Sequence, residues 1–170
     1  TTDIATTSAA IQEGWQAGYA DLMVEAGNDT YRTSTEAARQ LFTALSTGLE
    51  FTSQTRLARP MGTFDRPRPK RAEARRSERS LRHVILSLAA TRDLARLMSG
   101  ESDALDQAFQ RALRRAENLD DPVFAGVAAP QGRFAVEVLQ QNIEATRAIL
   151  AKDVGPSLGI TAGFNSLDGD

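Results

Sequence analysis

Apolar residues recur at helical spacing along most of the chain, mostly three or four positions apart, so that they form a stripe along one face of each predicted helix. This pattern predicts helices, and the approximate ranges are residues 7–26, 33–57, 77 or 80 to 99, 102 or 103 to 118, and 131–152. Short polar residues stand where caps are expected: Thr33 with Glu36 forms a capping-box pair, and Ser102 or Asp103 precedes the fourth helix. Either Ser77 or Ser80 is expected to cap the third helix.

Each predicted helix has a definite apolar face. The expected stripes are Ile11, Trp15, Tyr19 and Leu22; then Ala37, Leu41, Leu45 and Leu49; then Leu105, Ala108, Phe109, Ala112, Leu113 and Ala116; and finally Phe134, Val138, Ala145 and Ile149. The third helix carries two stripes. The first consists of Leu81, Val84, Ile85, Leu88, Ala95 and Met98. The second consists of Leu86, Ala90, Leu94 and Leu97. A helix that is apolar over most of its circumference is expected at the centre of a bundle.

A proline-rich stretch separates the second helix from the third. Pro60, Pro67 and Pro69 fall within ten residues, and proline interrupts a helix, so residues 58–72 are expected to form a long irregular connection. The sequence therefore predicts an all-α fold, an up-and-down antiparallel bundle of four to five helices with a long Pro/Arg-rich crossover. We expect residues 1–170 to form a single helical-bundle domain. Low aromatic content, 6%, suits close-packed helices.

The composition excludes several classes of site. The chain has no cysteine and one histidine, so it supplies no disulfide, no thiolate metal site and no motif with two histidines. Its net charge of −2 gives no general argument for nucleic acid. No apolar run approaches the ~20 residues that cross a bilayer, so membrane association is expected to be peripheral at most.

Basic residues concentrate between Arg56 and Arg82. This segment holds ten of the 20 Lys and Arg residues against three acidic ones, and it leads into the start of the third helix. A helix amino end lined by arginines favours carboxylates, phosphates or an acidic partner. The alternative is a solvated loop whose arginines pair with acidic helix faces. Nucleic acid is not expected as the partner, because Phe64 is the one aromatic residue among the arginines.

Two further features carry candidate chemistry. His83 lies one turn into the third helix, where a core histidine with one satisfied ring nitrogen is the simplest interpretation and a ligand role is the alternative. The last residues, 163–170, place oxygen-bearing side chains close together, with Phe164 and Leu167 among them. We expect this tail to dock against the bundle.

Two segments of the chain resemble the C-terminal half of imelysin-like proteins. They are Arg71–Leu81, followed by a long apolar helix, and Leu158–Asp170, whose ending is the more specific. The order of the Trp15–Tyr19 segment, the Ala/Leu helix and the crossover is similar as well. The resemblance implies a bacterial envelope or periplasmic protein implicated in iron uptake, built as two helical-bundle halves with a functional site between them.

The family's metal-binding motif, GxHxxE, is absent, since Val84, Ile85 and Leu86 follow His83. Because the chain starts at Thr1 without a signal segment, we expect it to be a C-terminal half whose N-terminal partner is missing. The resemblance assigns ligand-binding positions to Glu73, Arg76, Ser77, Arg79, Ser80, Asn165, Asp168 and Asp170. We expect these two segments to converge on one polar site at the interface with that half; the alternative is that they only hold the tail in place.

These observations leave three functions open. The first is a non-catalytic binding module that contributes one wall of a ligand or metal site, with an iron or zinc ion bound only together with the N-terminal half. The second is a metallopeptidase half-domain, in keeping with the peptidase label of the family, although the residues indicate no catalytic group or metal ligand. The third is a scaffold that binds an acidic partner through Arg56–Arg82. The expected partners are the N-terminal half or a second copy of the chain.

Overall fold

The computed structural model describes residues 2–100 and 102–160, and this part of the chain is all-α. It divides into two compact units, Thr1–Leu41 and Phe42–Asp170. The α-helices are α1 (Thr2–Gly14), α2 (Ala20–Val24), α3 (Ser34–Glu50), α4 (Ala58–Met61), α5 (Ser80–Ser99), α6 (Asp103–Glu117) and α7 (Pro130–Ile149). Five of them, α1, α3, α5, α6 and α7, have thirteen residues or more and correspond to the five predicted helices.

Within the described residues there is no strand, and the nearest approach to one is a single bridge between Thr63 and Arg66. The predicted all-α bundle is confirmed. None of its described helices combines the length and the apolar character that crossing a bilayer requires.

The first unit begins with α1, which continues through a π turn, Trp15–Tyr19, into α2. Gly18 has φ +134° inside that turn, so the helical path is broken there. The predicted helix is confirmed, but its apolar stripe is not covered: Trp15 is 45% exposed and α1 has no buried residue. Tyr19 and Tyr31 share a hydroxyl–hydroxyl hydrogen bond of 2.9 Å, which links the π turn to the loop between α2 and α3.

The start of α3 follows the predicted cap closely. The hydroxyl of Thr33 accepts a hydrogen bond from the amide of Glu36, as a capping box requires. The carboxylate of Glu36 then accepts from the amide of Arg32 rather than from that of Thr33 itself. Side chains therefore accept hydrogen bonds from the amides of Arg32 and Glu36 at this helix end.

The second unit packs α5, α6 and α7 with the end of α3 around one core. All six positions of the predicted α6 stripe are buried, and Ser102 caps the helix by accepting from the amide of Leu105 at 3.4 Å. The prediction that α5 is buried on most of its circumference is confirmed for one of its two stripes. Its first stripe packs into the core, but Leu86 and Leu97 of the second stripe are exposed.

The predicted face of α7 is wrong for most of its positions, although Ile149 packs against the core. Phe134 is 66% exposed, and the buried residues of this helix are Val136, Leu139, Ile143 and Thr146, followed by Leu150 in the next turn. Both stripes satisfy helical spacing, and Thr146 conceals the buried one in the sequence because it is polar. Its hydroxyl donates to the carbonyl of Asn142 at 2.8 Å, so its burial leaves no polar group unpaired.

The crossover is shorter than predicted at its start. The helix that begins as α3 continues through a π turn, Phe51–Leu57, into α4, and Pro60 lies within that last turn. The chain then leaves the helix at Gly62, whose φ is +57° and where an added Cβ would lie 2.4 Å from the carbonyl oxygen of Arg66. Residues 62–79 contain only two short 3₁₀ turns, so the predicted irregular connection is present there.

Candidate functional site

The π turn Phe51–Leu57 carries most of the polar side chains that meet inside the second unit. Thr52 and Ser53 are buried within it, and Arg56 is mostly buried. A π turn widens the helix by one residue and shifts the side chains that follow, and such turns occur often at functional sites. Here it directs consecutive polar residues toward two neighbouring elements.

Arg56 is the centre of the first polar cluster. Its Nε donates to Oε2 of Glu73 at 2.6 Å, and its Nη1 donates to Oγ of Ser87 at 2.6 Å and to Oγ1 of Thr52 at 3.3 Å. Nδ1 of His83 lies 3.6 Å from the other carboxylate oxygen of Glu73. Three segments, the π turn, the crossover and α5, thus meet at one ion pair, which we call the Arg56 cluster.

The electrostatics of the Arg56 cluster keep Glu73 ionised. Partial burial raises the pKa of Glu73, but the hydrogen bond and the charge of Arg56 outweigh it, and His83 acts in the same direction. The net result is a pKa below the ordinary carboxyl value. The side chains of Glu73 and His83 are 42% and 30% exposed, so both can be reached from solvent.

The ring of Phe51 borders this cluster. The guanidinium carbon of Arg56 lies 4.9 Å from the centre of the Phe51 ring, a cation–π contact. Phe51 is 45% exposed and Leu86, on α5 beside Ser87, is 51% exposed. A polar centre with large exposed apolar neighbours is the composition that ligand sites and interfaces share.

The π turn also meets α7 on its other side. Oγ of Ser53 donates to a carboxylate oxygen of Glu144 at 2.5 Å, and Nε2 of Gln54 donates to the same oxygen at 3.0 Å. Nε2 of Gln140 donates to the backbone carbonyl of Ser53 at 3.3 Å. These bonds hold the π turn against α7 and fix the direction in which Arg56 leaves it.

The structure brings two of the predicted ligand-binding residues together. Glu73 belongs to the Arg56 cluster, and Ser80, which is 2% exposed, donates from Oγ to the backbone carbonyl of Glu73 at 2.5 Å. Ser80 therefore positions Glu73 rather than capping α5, and Ser77 donates to the carbonyl of Ala74 instead. The predicted serine cap of α5 is wrong: Arg79 occupies the cap position without a side-chain bond.

The remaining predicted residues do not join the cluster. Arg76, Ser77 and Arg79 are exposed on the segment that precedes α5. Asn165, Asp168 and Asp170 lie outside the described residues, so the expected convergence of the tail on this site stays a prediction.

The alternative interpretation, in which the basic segment pairs with acidic helix faces, is not observed among the described residues. Within residues 2–100 and 102–160, Arg56 is the one basic residue of the segment that forms an ion pair with a carboxylate. The others, without such a partner, are Arg59, Arg66, Arg68, Lys70, Arg71, Arg75, Arg76, Arg79 and Arg82. Within the described part of the chain, no carboxylate neutralises these nine charges.

The Arg56 cluster does not fit a metal ion by itself. No group of three or more His, Asp or Glu side chains in the described part of the chain could hold one. Glu73 and His83 provide two donors, but the guanidinium of Arg56 occupies one oxygen of that carboxylate and opposes a second positive charge. Any cation bound directly here would need additional ligands from outside these residues.

Sequence reasoning missed the functional grouping of Arg56, His83 and Ser87. The signal was present as spacing, because His83 and Ser87 are four residues apart on α5, and so are Thr52 and Arg56 on the preceding helix. His83 was expected in the core, but its side chain is partly exposed and faces Glu73. Which crossover residue would meet this face could not be deduced from spacing alone.

The comparison with known proteins identifies the family. The family model for imelysin, designated Peptidase_M75, matches residues 1–150. The chain therefore belongs to the imelysin family, as the resemblance of its crossover indicated. No curated protein and no solved structure matches the chain.

Proposed function

We propose that this imelysin-family chain is a non-catalytic binding component of the bacterial envelope or periplasm, and that it takes part in iron acquisition. It provides one wall of a ligand site, and the Arg56 cluster forms the centre of that wall. The observation that carries the proposal is the meeting of a solvent-accessible Glu73 and His83 at the mostly buried side chain of Arg56. The iron role and the location rest on the family resemblance.

The charges around the cluster favour an anionic ligand over a bare cation. Nine basic side chains of the segment lack a carboxylate partner within the described residues, and the cluster's own carboxylate is already neutralised by Arg56. Arginine forks bind carboxylates with two parallel hydrogen bonds. Iron is therefore proposed to arrive as an anionic carboxylate chelate, in which the chelator supplies the metal ligands that the chain lacks.

The tail is proposed to complete the polar side of the site. Asn165, Asp168 and Asp170 match the family ending, and the carboxylates of Asp168 and Asp170 complement Arg76 and Arg79 in charge. Ser80, which adjoins Arg79 in the sequence, is hydrogen-bonded to the backbone carbonyl of Glu73 in the cluster. The tail would then limit the opening of the site rather than bind iron directly.

The apolar rim of the cluster is proposed as the surface that meets the N-terminal half, or a second copy of the chain in its absence. Phe51 packs against the guanidinium of Arg56, Leu86 precedes Ser87 on α5, and both side chains are exposed. Sedimentation equilibrium tests this: Leu86→Glu should abolish concentration-dependent association. A chain that stays monomeric at high concentration would contradict the proposal.

His83 provides a direct test of ligand binding, because it is the single histidine and its imidazole signals are unique in an NMR spectrum. Titration with ferric citrate should broaden these signals, and gallium citrate should shift them without broadening. Arg56→Gln should weaken the response at least tenfold, whereas Glu78→Gln, an exposed acid of the same segment, should leave it unchanged. A response to unchelated iron at equal or lower concentration, or no response, would contradict an anionic-chelate site.

A metallopeptidase half-domain is the alternative that the family designation suggests. The described residues offer no three-ligand metal cluster, which is why binding is preferred. The test is hydrolysis of an unstructured peptide with added zinc. Turnover that a chelator abolishes would overturn the non-catalytic proposal.

The basic segment itself favours a second function, as a scaffold for an acidic protein partner. The specific observation is the set of nine basic residues without carboxylate partners in the described structure. Binding of a poly-glutamate peptide should weaken steeply as salt rises, since these exposed charges are screened. Affinity that does not change with salt would exclude this function.

A further inference from the structure

A cavity lies at the opposite end of α5 from the Arg56 cluster, where α5 turns into α6. Its volume is about 570 Å³, within the range of small-molecule sites, and both helices line it. His83 and Arg96 are thirteen residues apart on the same helix, so this cavity is about 20 Å along α5 from the Arg56 cluster. The two sites are therefore separate.

The charged wall of this cavity is built around Asp106. Its carboxylate accepts from Nε and Nη2 of Arg92 at 2.8 and 2.9 Å, from Nε of Arg96 at 2.8 Å, and from Gln110 at 2.8 Å. Four donors use the acceptor capacity of one carboxylate. The guanidinium of Arg96 is thereby fixed in position through Nε alone.

The outer edge of Arg96 remains available. Its two terminal nitrogens have no hydrogen-bond partner among the described residues, and its side chain is 53% exposed. A guanidinium held at Nε presents its terminal N–H groups as a preformed fork for a carboxylate. The cavity thus contains an anion-binding edge that the fold already orients.

The opposite charge is present on the same cavity. Asp103, in the first turn of α6, lines it and forms no ion pair or side-chain hydrogen bond within the described part of the chain. Among the described residues Asp103 and Arg96 are not paired with each other, and Arg96 uses only Nε for its ion pair with Asp106, so the terminal nitrogens of Arg96 and the carboxylate of Asp103 can both contact a ligand. A negative charge on the rim disfavours polyanions and favours a ligand that also carries an amine.

The rest of the lining combines apolar side chains with the hydroxyls of Ser99 and Ser102. Ala95, Leu105 and Phe109 contribute to the cavity, although each is nearly fully buried overall. An apolar floor beside one guanidinium and one carboxylate complements a small molecule with a carboxylate, an ammonium group and a hydrocarbon side chain. We propose that the cavity between α5 and α6 binds a free α-amino acid with an apolar side chain, with its carboxylate on Arg96 and its ammonium group on Asp103.

The test is binding of L-leucine to the full chain, followed by backbone amide shifts. Leucine should shift amides of residues 95–109 and bind at least tenfold more tightly than 4-methylpentanoate, isopentylamine, glycine or inorganic phosphate, each of which lacks one of the required groups. No binding of leucine, shifts confined to other helices, or equal affinity for 4-methylpentanoate would overturn the proposal.

Variants separate binding from a purely structural role of the network. Arg96→Lys keeps the charge but loses the fork, so it should weaken leucine binding at least tenfold. Asp103→Asn should remove the preference for leucine over 4-methylpentanoate. Arg115→Gln, an exposed arginine of α6 outside this cavity, is the matched control and should bind as the parent does. Thermal unfolding of each variant checks the fold, and unchanged leucine affinity in folded Arg96→Lys would overturn the assignment.

Discussion

Removal of the Arg56 guanidinium is the most informative single perturbation of the proposed ligand wall. Arg56→Gln breaks the 2.6 Å bond to Glu73, the 2.6 Å bond to Ser87 and the 3.3 Å bond to Thr52. The π turn, the crossover and α5 then lose their shared partner. A double-mutant cycle with Glu73→Gln isolates the ion pair from the other two bonds.

The expected magnitude follows from the exposure of the partners. The side chain of Arg56 is 18% exposed but that of Glu73 is 42% exposed, so solvent screening reduces the ion pair to about 1 kcal/mol. Each hydroxyl partner of Arg56 adds about 0.5–1 kcal/mol of net stabilisation. Arg56→Gln should therefore lower the free energy of unfolding by about 2–3 kcal/mol, Glu73→Gln by about 1 kcal/mol, and the coupling energy should be about 1 kcal/mol.

The assay is urea unfolding followed by far-ultraviolet circular dichroism. Tryptophan fluorescence is unsuitable, because Trp15 is the single tryptophan and lies in the Thr1–Leu41 unit. Arg82→Gln, which removes an exposed arginine of α5 without a carboxylate partner in the described structure, is the control and should change the free energy by less than about 0.5 kcal/mol.

The coupling must also depend on pH with a definite sign. The pKa of Glu73 is lowered in the folded chain, so its stabilising contribution is complete above the ordinary carboxyl pKa and is lost as the pH falls below it. The coupling energy should therefore shrink between about pH 5 and pH 3. Zero coupling at pH 7, or coupling that is unchanged at pH 3, would refute the role given to this ion pair.

Three other perturbations test separate parts of the structure. Gly132→Ala would place a Cβ 2.2 Å from the backbone oxygen of Gly126, in the turn before α7, so it should clearly lower the thermal unfolding midpoint. Gly14→Ala is the control, because no atom lies within 4 Å of its added Cβ and the midpoint should not fall. Similar midpoints for the two variants would contradict this packing. Hydrogen bonds from arginines hold the pKa of Asp106 well below its ordinary value. Asp106→Asn should therefore lower the free energy of unfolding, measured with urea, by about 2 kcal/mol at pH 7. The variant should also lose less stability than the parent chain as the pH falls below about 4. In a chain without cysteine, a nitroxide on Ser166→Cys should broaden the amide signal of Arg79 if the tail docks as proposed, and an unaffected signal would exclude docking.

The sequence predicted the helices well because their apolar stripes are long and their breaks are marked by glycine and proline. The predicted α6 stripe contains all the buried residues of that helix. The prediction succeeded because polar residues occupy most of the other positions, so that only one face of the helix is apolar. The α7 face was misassigned because Phe134 outweighs Thr146 in any judgement of hydrophobicity, although a threonine that bonds to its own helix is buried without penalty. Stripe assignment therefore fails where two faces have similar spacing.

The candidate site was only partly predictable for a different reason. Glu73 and Ser80 could be singled out from the crossover, but Arg56 was one of ten basic residues in its segment. What distinguishes Arg56 is the π turn, which depends on how the helix packs against α5 and α7 rather than on local propensity. Tertiary packing also decides that His83 faces Glu73 instead of the core.

The most direct test of the proposed function is the position of iron in crystals of the chain grown with ferric citrate, located by anomalous scattering at the iron edge. We predict the strongest iron peak within about 8 Å of the Arg56 guanidinium, the reach of a chelate that hydrogen-bonds to it through carboxylate oxygens, and loss of that peak in Arg56→Gln crystals. An iron peak at another surface, or its persistence in Arg56→Gln, would contradict the account.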